Sequence, residues 1–117
     1  GTIKHGDLTI DNAGYEVKFA GQRVDLTYRE YQLLRYLATN SGKVVTRENL
    51  LTKVWGYDYL GGDRTIDVHI RRLRSKLEDG AHVFIETVRN VGYRFREQSG
   101  ESGQPILAVN NSETLTV

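Results

Sequence analysis

Apolar and polar residues alternate with a period of two along the first 26 residues of the chain. The alternating apolar positions are Leu8, Ile10, Tyr15, Val17, Phe19, Val24 and Leu26. This period is typical of strands that bury one face, and turn-forming residues interrupt it at 12–14 and 20–22. The pattern therefore predicts a small antiparallel sheet over residues 2–26.

A helical period begins after this segment. Thr27 stands three residues before Glu30, the spacing of a capping box, and Leu26 and Tyr31 are placed to form a hydrophobic staple. We predict a first helix over residues 27–41, which Ser41-Gly42 ends. A short strand at 43–45 should lead into a second helix over 47–55. Its apolar positions are Leu50, Leu51, Val54 and Trp55, and Gly56 marks its end.

A third helix, predicted over residues 63–79, has the strongest two-sided pattern in the chain. Its apolar stripe consists of Ile66, Ile70, Leu73 and Leu77. At about 100° per residue, the opposite face carries Arg64, Val68, Arg71, Arg72 and Ser75. Asp63 stands where an N-cap is expected. The pattern predicts a helix that is anchored on one side and strongly cationic on the other.

The last patterned segment alternates again, over residues 83–96, and Asn90-Val91-Gly92 interrupts it. It predicts a β-hairpin with Arg89 just before its tip. The order of sheet, three helices and hairpin predicts an α+β winged helix-turn-helix domain over residues 1–96, with the hairpin as the wing. The loop at 57–63 is longer than the usual 3–4-residue turn.

Composition changes this picture through the placement of charge. The net charge of +1 over 117 residues conceals a C-terminal segment, 97–117, that carries three Glu and no Lys or Arg. This acidic linker and tail has no clear role: disorder, strand addition to a sheet edge and pairing between chains are all compatible with it. No run approaches the ~18 apolar residues of a membrane span.

Candidate chemistry is limited. The chain has no cysteine and three histidines, so we expect no disulfide, no metal and no cofactor, and a reducing cytoplasm is compatible with it. No nucleophile–base order, glycine-rich phosphate loop or paired carboxylates indicate an enzyme or a small-molecule substrate. The cationic face of the third helix instead favours double-stranded DNA, because guanidinium forks fit phosphates and guanine edges and Val68 would suit a thymine methyl. The alternative is a solvated helix with surface ion pairs.

Several separated motifs resemble the OmpR/PhoB-type DNA-binding domain. They include Val44-Val45-Thr46-Arg47-Glu48, Val54-Trp55-Gly56, Arg64 to Arg74 and Gly92-Tyr93-Arg94-Phe95. The resemblance covers about residues 3–96. It implies the isolated effector domain of a bacterial two-component response regulator, whose full-length form carries a receiver domain and has a sensor kinase as its partner. One departure is Asn90, where the family more often has glycine; asparagine tolerates the left-handed backbone of such a turn.

The resemblance also implies site residues. Val68 and Arg72 are expected to contact bases in the major groove and Arg89 the minor groove. Phosphate contacts are expected from Arg64, His69, Arg71 and Arg74. Two copies would bind direct repeats head-to-tail, and the surface loop of Tyr57, Asp58, Tyr59 and Leu60 would contact RNA polymerase.

Some assignments stay open at this point. Hydroxyls of Thr87 and Tyr93 on the hairpin could bind phosphates, but Tyr93 could equally be a packing residue. Trp55 could anchor the core or reach a phosphate through its indole N–H, and Arg89 could be an ordinary exposed strand residue. The rival function is a winged-helix protein-interaction module that docks through the 57–63 loop or the tail.

Overall fold

An antiparallel four-stranded meander opens the chain in the computed structural model, which describes residues 1–97. Its strands are β1 (Thr2–His5), β2 (Leu8–Asp11), β3 (Glu16–Phe19) and β4 (Gln22–Arg23), paired in that order. Leu8, Ile10 and Val17 point from β2 and β3 into the core, as the alternation predicts. The predicted tail lies outside the described residues except for Glu97.

Two details of the predicted sheet were wrong. The sheet ends at Arg23, so Val24 and Leu26 pack against the core from a connecting segment and not from a strand. Tyr15 lies in the turn before β3 with φ 53°, and its side chain is exposed. The β3–β4 connection is a two-residue hairpin loop in which Ala20 and Gly21 both have positive φ, the backbone that such a turn requires.

Helix α1 (Tyr28–Thr39) begins with the predicted capping box. The Thr27 hydroxyl accepts a hydrogen bond from the Glu30 amide, and the Glu30 carboxylate accepts one from the Thr27 amide. The helix buries one apolar face in the domain core and ends two residues earlier than predicted, with Asn40 as the C-cap. Local sequence therefore determines where this helix starts.

The second predicted helix is only partly α-helical. Helix α2 (Arg47–Leu50) continues as one π-helical turn (Leu51–Trp55), which closes with a 2.8 Å hydrogen bond from the Gly56 amide to the Leu51 carbonyl. Gly56 has φ 103°, which ends the helix. The Arg29 guanidinium donates to the Val54 carbonyl at 2.6 Å and so satisfies one carbonyl at this helix end.

Helix α3 (Arg64–Leu77) buries the predicted stripe completely. Ile66, Ile70, Leu73 and Leu77 are all at most 1% exposed. The predicted capping role of Asp63 was wrong: its side chain makes no capping hydrogen bond. Asp63 itself has helical backbone angles, φ −77° and ψ −3°, whereas a capping side chain needs extended backbone to reach the following amides.

A three-stranded sheet completes the winged helix-turn-helix fold. It contains β5 (Val44–Thr46), β6 (Ile85–Val88) and β7 (Gly92–Phe95), with β7 in the middle. The predicted hairpin is thus confirmed, and the predicted short strand forms the third strand of this sheet. Gly92 lies so close to β5 that a Cβ atom on it would clash with the Val45 carbonyl oxygen. Only glycine fits there.

Candidate nucleic-acid interface

The outward face of α3 presents several cations together. Arg64, Arg71, Arg72 and Ser75 are exposed, and Val68 is partly exposed among them. The buried stripe on the other side fixes the rotation of the helix, so these side chains point away from the core as a group. The predicted cationic face is therefore present in the structure.

Arg71 and Arg72 are available to a ligand. Neither has an acidic partner within 4.0 Å among residues 1–97, so the alternative of a helix covered by surface ion pairs does not describe them. An unpaired guanidinium presents a planar fork of donors that matches a phosphate or the O6/N7 edge of guanine. The outward face of α3 can therefore bind a surface that is anionic and accepts hydrogen bonds.

The wing places another arginine at its tip. Arg89 is exposed between β6 and β7, and the turn closes with a 2.9 Å hydrogen bond from the Val91 amide to the Val88 carbonyl. Asn90 has φ 65°, as expected for the residue that replaces glycine in this turn. Arg89 has no ion-pair partner in the stretch that the structure covers.

The remaining cations of α3 have intramolecular partners. Arg74 donates to the Ile85 carbonyl through Nε at 3.2 Å and Nη2 at 2.9 Å, and Nη2 also reaches Thr87 Oγ1 at 2.8 Å. Lys76 Nζ lies 2.6 Å from Glu30 Oε1, and Glu30 is only 1% exposed. Burial by itself would raise the pKa of Glu30, but hydrogen bonds from Lys76 and the Thr27 amide outweigh it and lower that pKa.

A second polar cluster joins α3 to the wing sheet. Asp67 Oδ1 accepts hydrogen bonds from Arg47 Nε at 2.7 Å and from the Tyr93 hydroxyl at 2.5 Å. Burial alone would raise the pKa of Asp67, but these two hydrogen bonds lower it. Burial, and then the bond to Asp67, raises the pKa of Tyr93. Tyr93 is 4% exposed, so the structure favours the packing role that the sequence left open.

Trp55 and His69 pack together beside the cationic face. Their ring centroids are 5.0 Å apart in an edge-to-face arrangement, and the Arg29 guanidinium lies 5.2 Å from the centre of the Trp55 ring. His69 Nδ1 lies 2.8 Å from the Thr65 carbonyl oxygen, which can only accept, so Nδ1 carries a proton. Trp55 therefore anchors the π-helical turn to α3.

The 57–63 loop is exposed, as its sequence predicts. Tyr57 is 85% exposed and Leu60 is 97% exposed, whereas Tyr59 is partly covered and lies 6.5 Å from Trp55 between ring centroids. Two large apolar side chains of this loop are therefore accessible to a partner.

Two residues that take part in these polar contacts, Arg47 and Lys76, were not predicted from the sequence. Arg47 belongs to a motif that carries the family resemblance, but only the fold brings it to Asp67, 20 residues further along. The ion pair of Lys76 with Glu30 spans 46 residues. The one available signal was a glutamate on the otherwise apolar side of the first helix, since a buried carboxylate needs a partner.

Neither a metal site nor a membrane helix is found in the described part. Among residues 1–97, no group of three or more His, Cys, Asp or Glu side chains is arranged to hold a metal ion. Over the same residues, no helix has the length and apolarity that crossing a bilayer demands.

Comparison with known proteins identifies the arrangement. The model of the family "Transcriptional regulatory protein, C terminal" matches residues 21–95. The response regulator DrrB of Thermotoga maritima, described as an OmpR/PhoB homologue, is 40% identical, with a TM-score of 0.76 over 82% of this chain and 44% of its own. The chain belongs to the OmpR/PhoB family of transcriptional regulators.

Other solved OmpR/PhoB-type structures match over nearly their whole length. The DNA-binding domain of Klebsiella pneumoniae RstA, solved in complex with the RstA box, is 43% identical, with a TM-score of 0.74 over 82% of this chain and 97% of its own. The DNA-binding domain of CpxR from E. coli is 37% identical, with a TM-score of 0.72 over 83% and 97%. This chain thus spans the DNA-binding domain of its family and less than half of DrrB.

Proposed function

We propose that this domain binds double-stranded DNA in a sequence-specific manner, with α3 in the major groove and the wing at the adjacent minor groove. The observation that carries the proposal is the exposed pair Arg71 and Arg72, which α3 presents without acidic partners among residues 1–97. The related RstA domain, solved with the RstA box, supports the same partner.

The exposure of these residues supports most of the predicted DNA contacts. Val68 and Arg72 lie on the outward face of α3 and would contact base edges, and Arg89 at the wing tip would enter the narrow minor groove of A·T-rich DNA. Arg64 and Arg71 would contact phosphates from α3. His69 and Trp55, which pack together beside this face, and Thr87 on β6 would add further phosphate contacts. Arg74 and Tyr93 are already bonded within the domain, and we assign them to positioning.

The partners of the full-length regulator follow from the family. We propose that two copies bind direct repeats head-to-tail, about 10–10.5 bp apart, because a single module buries only about 600–1,000 Å² on DNA. In the full-length protein, a receiver domain phosphorylated by a sensor kinase would control this assembly. The site of action would be the bacterial cytoplasm, where the chromosomal DNA is.

RNA polymerase is the second proposed partner, through the loop of Tyr57, Asp58, Tyr59 and Leu60. The exposure of Tyr57 and Leu60 supports it. Binding of the chain to purified bacterial RNA polymerase holoenzyme should weaken in a Tyr57→Ser/Leu60→Ser variant whose DNA affinity is unchanged. Equal binding of variant and wild type would contradict the assignment.

DNA binding itself is tested by selecting sites from a random duplex pool and titrating the selected duplex at several salt concentrations. We expect log affinity to fall with log salt at a slope of about −0.9 per phosphate neutralised. A scrambled duplex of equal composition is the control and should bind more weakly. Absence of salt-sensitive binding, or equal affinity for both duplexes, would contradict the proposed function.

A further inference from the structure

Two side chains within α3, both on one side of the helix, form hydrogen bonds with the wing sheet, in addition to those that the Glu78 carboxylate at its C-cap accepts. Asp67 and Arg74 are seven residues apart, which is two helical turns, so they project in nearly the same direction. Asp67 accepts from the Tyr93 hydroxyl on β7, and Arg74 donates to Ile85 and Thr87 on β6. The helix is therefore tied to two different strands of the wing.

Tyr93 is the centre of these contacts. It lies in the middle strand, where it pairs with Val45 of β5 and Thr87 of β6. The guanidinium carbons of Arg47 and Arg74 lie 5.4 and 5.6 Å from the centre of its ring. Arg47 also bonds Asp67, so α2, α3 and β7 meet at one side chain. We call Arg47, Asp67, Arg74 and Tyr93 the clamp.

The clamp connects the two parts that would contact bases. Asp67 immediately precedes Val68 on α3, and Arg74 follows Arg72 by two residues. On the wing, Thr87 precedes Arg89 by two residues. Pairing with β5 holds the base of the hairpin, and the contacts of Asp67 and Arg74 add a direct connection between α3 and the two strands that lead to the wing tip.

From this geometry we propose that the clamp sets the register between major-groove and minor-groove contacts, and that Tyr93 is a specificity-determining positioning residue. The inference rests on the proposed DNA binding. In B-form DNA the step from one groove to the next is fixed, so a wing held rigidly against α3 accepts an A·T-rich segment at one distance from the major-groove site. A loosened wing accepts neighbouring distances as well.

The test uses two duplexes. One is the selected site, and in the other the A·T-rich segment under the wing is shifted by one base pair relative to the major-groove site. Wild type should bind the unshifted duplex about tenfold or more tightly, a difference in the range that one mismatched base pair causes. Tyr93→Phe keeps the ring and its packing but removes the hydroxyl that donates to Asp67. The preference should fall at least about threefold.

Matched variants separate positioning from general destabilisation. Tyr36→Phe removes another tyrosine hydroxyl, which donates to Asn49 at 3.0 Å outside the clamp, and should keep the wild-type preference. Arg74→Lys retains the charge but cannot reproduce the paired bonds to β6, so it should also reduce the preference. It provides the test if Tyr93→Phe fails to fold, which thermal unfolding would show.

The outcomes distinguish the two proposals. If wild type prefers the selected over a scrambled duplex, but Tyr93→Phe and Arg74→Lys keep the wild-type preference for the unshifted duplex, the clamp is overturned and DNA binding stands. An equal loss of affinity for both duplexes in these variants would likewise overturn the clamp alone. If wild type discriminates among none of the duplexes, both proposals are overturned.

Discussion

The two sides of α3 carry the same kind of residue in opposite circumstances. On the outward side Arg71 and Arg72 are exposed and have no ion-pair partner among the described residues. On the side that faces the rest of the domain, Arg74 bonds strand β6 and Lys76 bonds the buried carboxylate of Glu30. The number of cations on a helix therefore says little about its ligand until the fold shows which of them already have partners.

The side of α3 that faces the rest of the domain should contribute most to the stability of the fold. Leu73→Ala removes a fully buried side chain and leaves a cavity, so we expect a loss of about 2–5 kcal/mol in the free energy of unfolding. Urea denaturation measures it. Ser75→Ala, an exposed position on the same helix, should change the free energy by less than about 0.5 kcal/mol. A loss at Ser75 as large as that at Leu73 would contradict the distinction between the two sides.

Loss of the ion pair between Lys76 and Glu30 should have the next largest effect on the free energy of unfolding. Lys76→Met keeps the aliphatic stem but leaves the buried Glu30 carboxylate without its cation, which should lower stability by about 1–3 kcal/mol. Arg71→Met removes an equal charge from the outward side and is the matched control in the same urea titration. If both variants unfold at the same urea concentration as wild type, the ion pair contributes nothing to stability and the expected difference between the two sides is wrong.

The same ion pair should also make stability depend on pH, with a smaller effect. Glu30 has a lowered pKa in the folded chain, so its contribution is present above the ordinary glutamate pKa of about 4.3 and is lost as pH falls through the lowered value. Urea midpoints of wild type should therefore decline below about pH 4.3 more steeply than those of Lys76→Met. Parallel declines would show that Lys76 does not lower the pKa of Glu30.

Sequence was sufficient wherever the determining contacts are local. The capping box of Thr27 and Glu30, the buried stripe of α3 and the left-handed Asn90 each depend on residues a few positions apart. The failed predictions have local causes that sequence does not reveal. Asp63 has the right side chain for a cap but helical backbone angles, and Tyr15 is in phase with Val17 and Phe19 but lies in the turn that precedes their strand.

The candidate site was predictable only in part for a related reason. The outward direction of Arg71 and Arg72 follows from the helical period. The attachment of Arg74 to β6 and of Asp67 to Tyr93 depends on partners 11 to 26 residues away, which only the packed wing brings close. Sequence could therefore indicate a set of phosphate-binding candidates, but not separate binding residues from positioning residues.

The most direct test of the central claim compares Arg72→Met with Lys76→Met, two variants that remove one positive charge each from the same helix. Affinity for the selected duplex and for its single-base-pair variants would be measured under conditions where both proteins are folded. Arg72→Met should lose about 1–3 kcal/mol of binding free energy and relax the preference at one base pair, whereas Lys76→Met should keep the wild-type preference at every position. Equal losses in the two variants, or an unchanged preference in Arg72→Met, would contradict the claim that the outward face of α3 reads the DNA sequence.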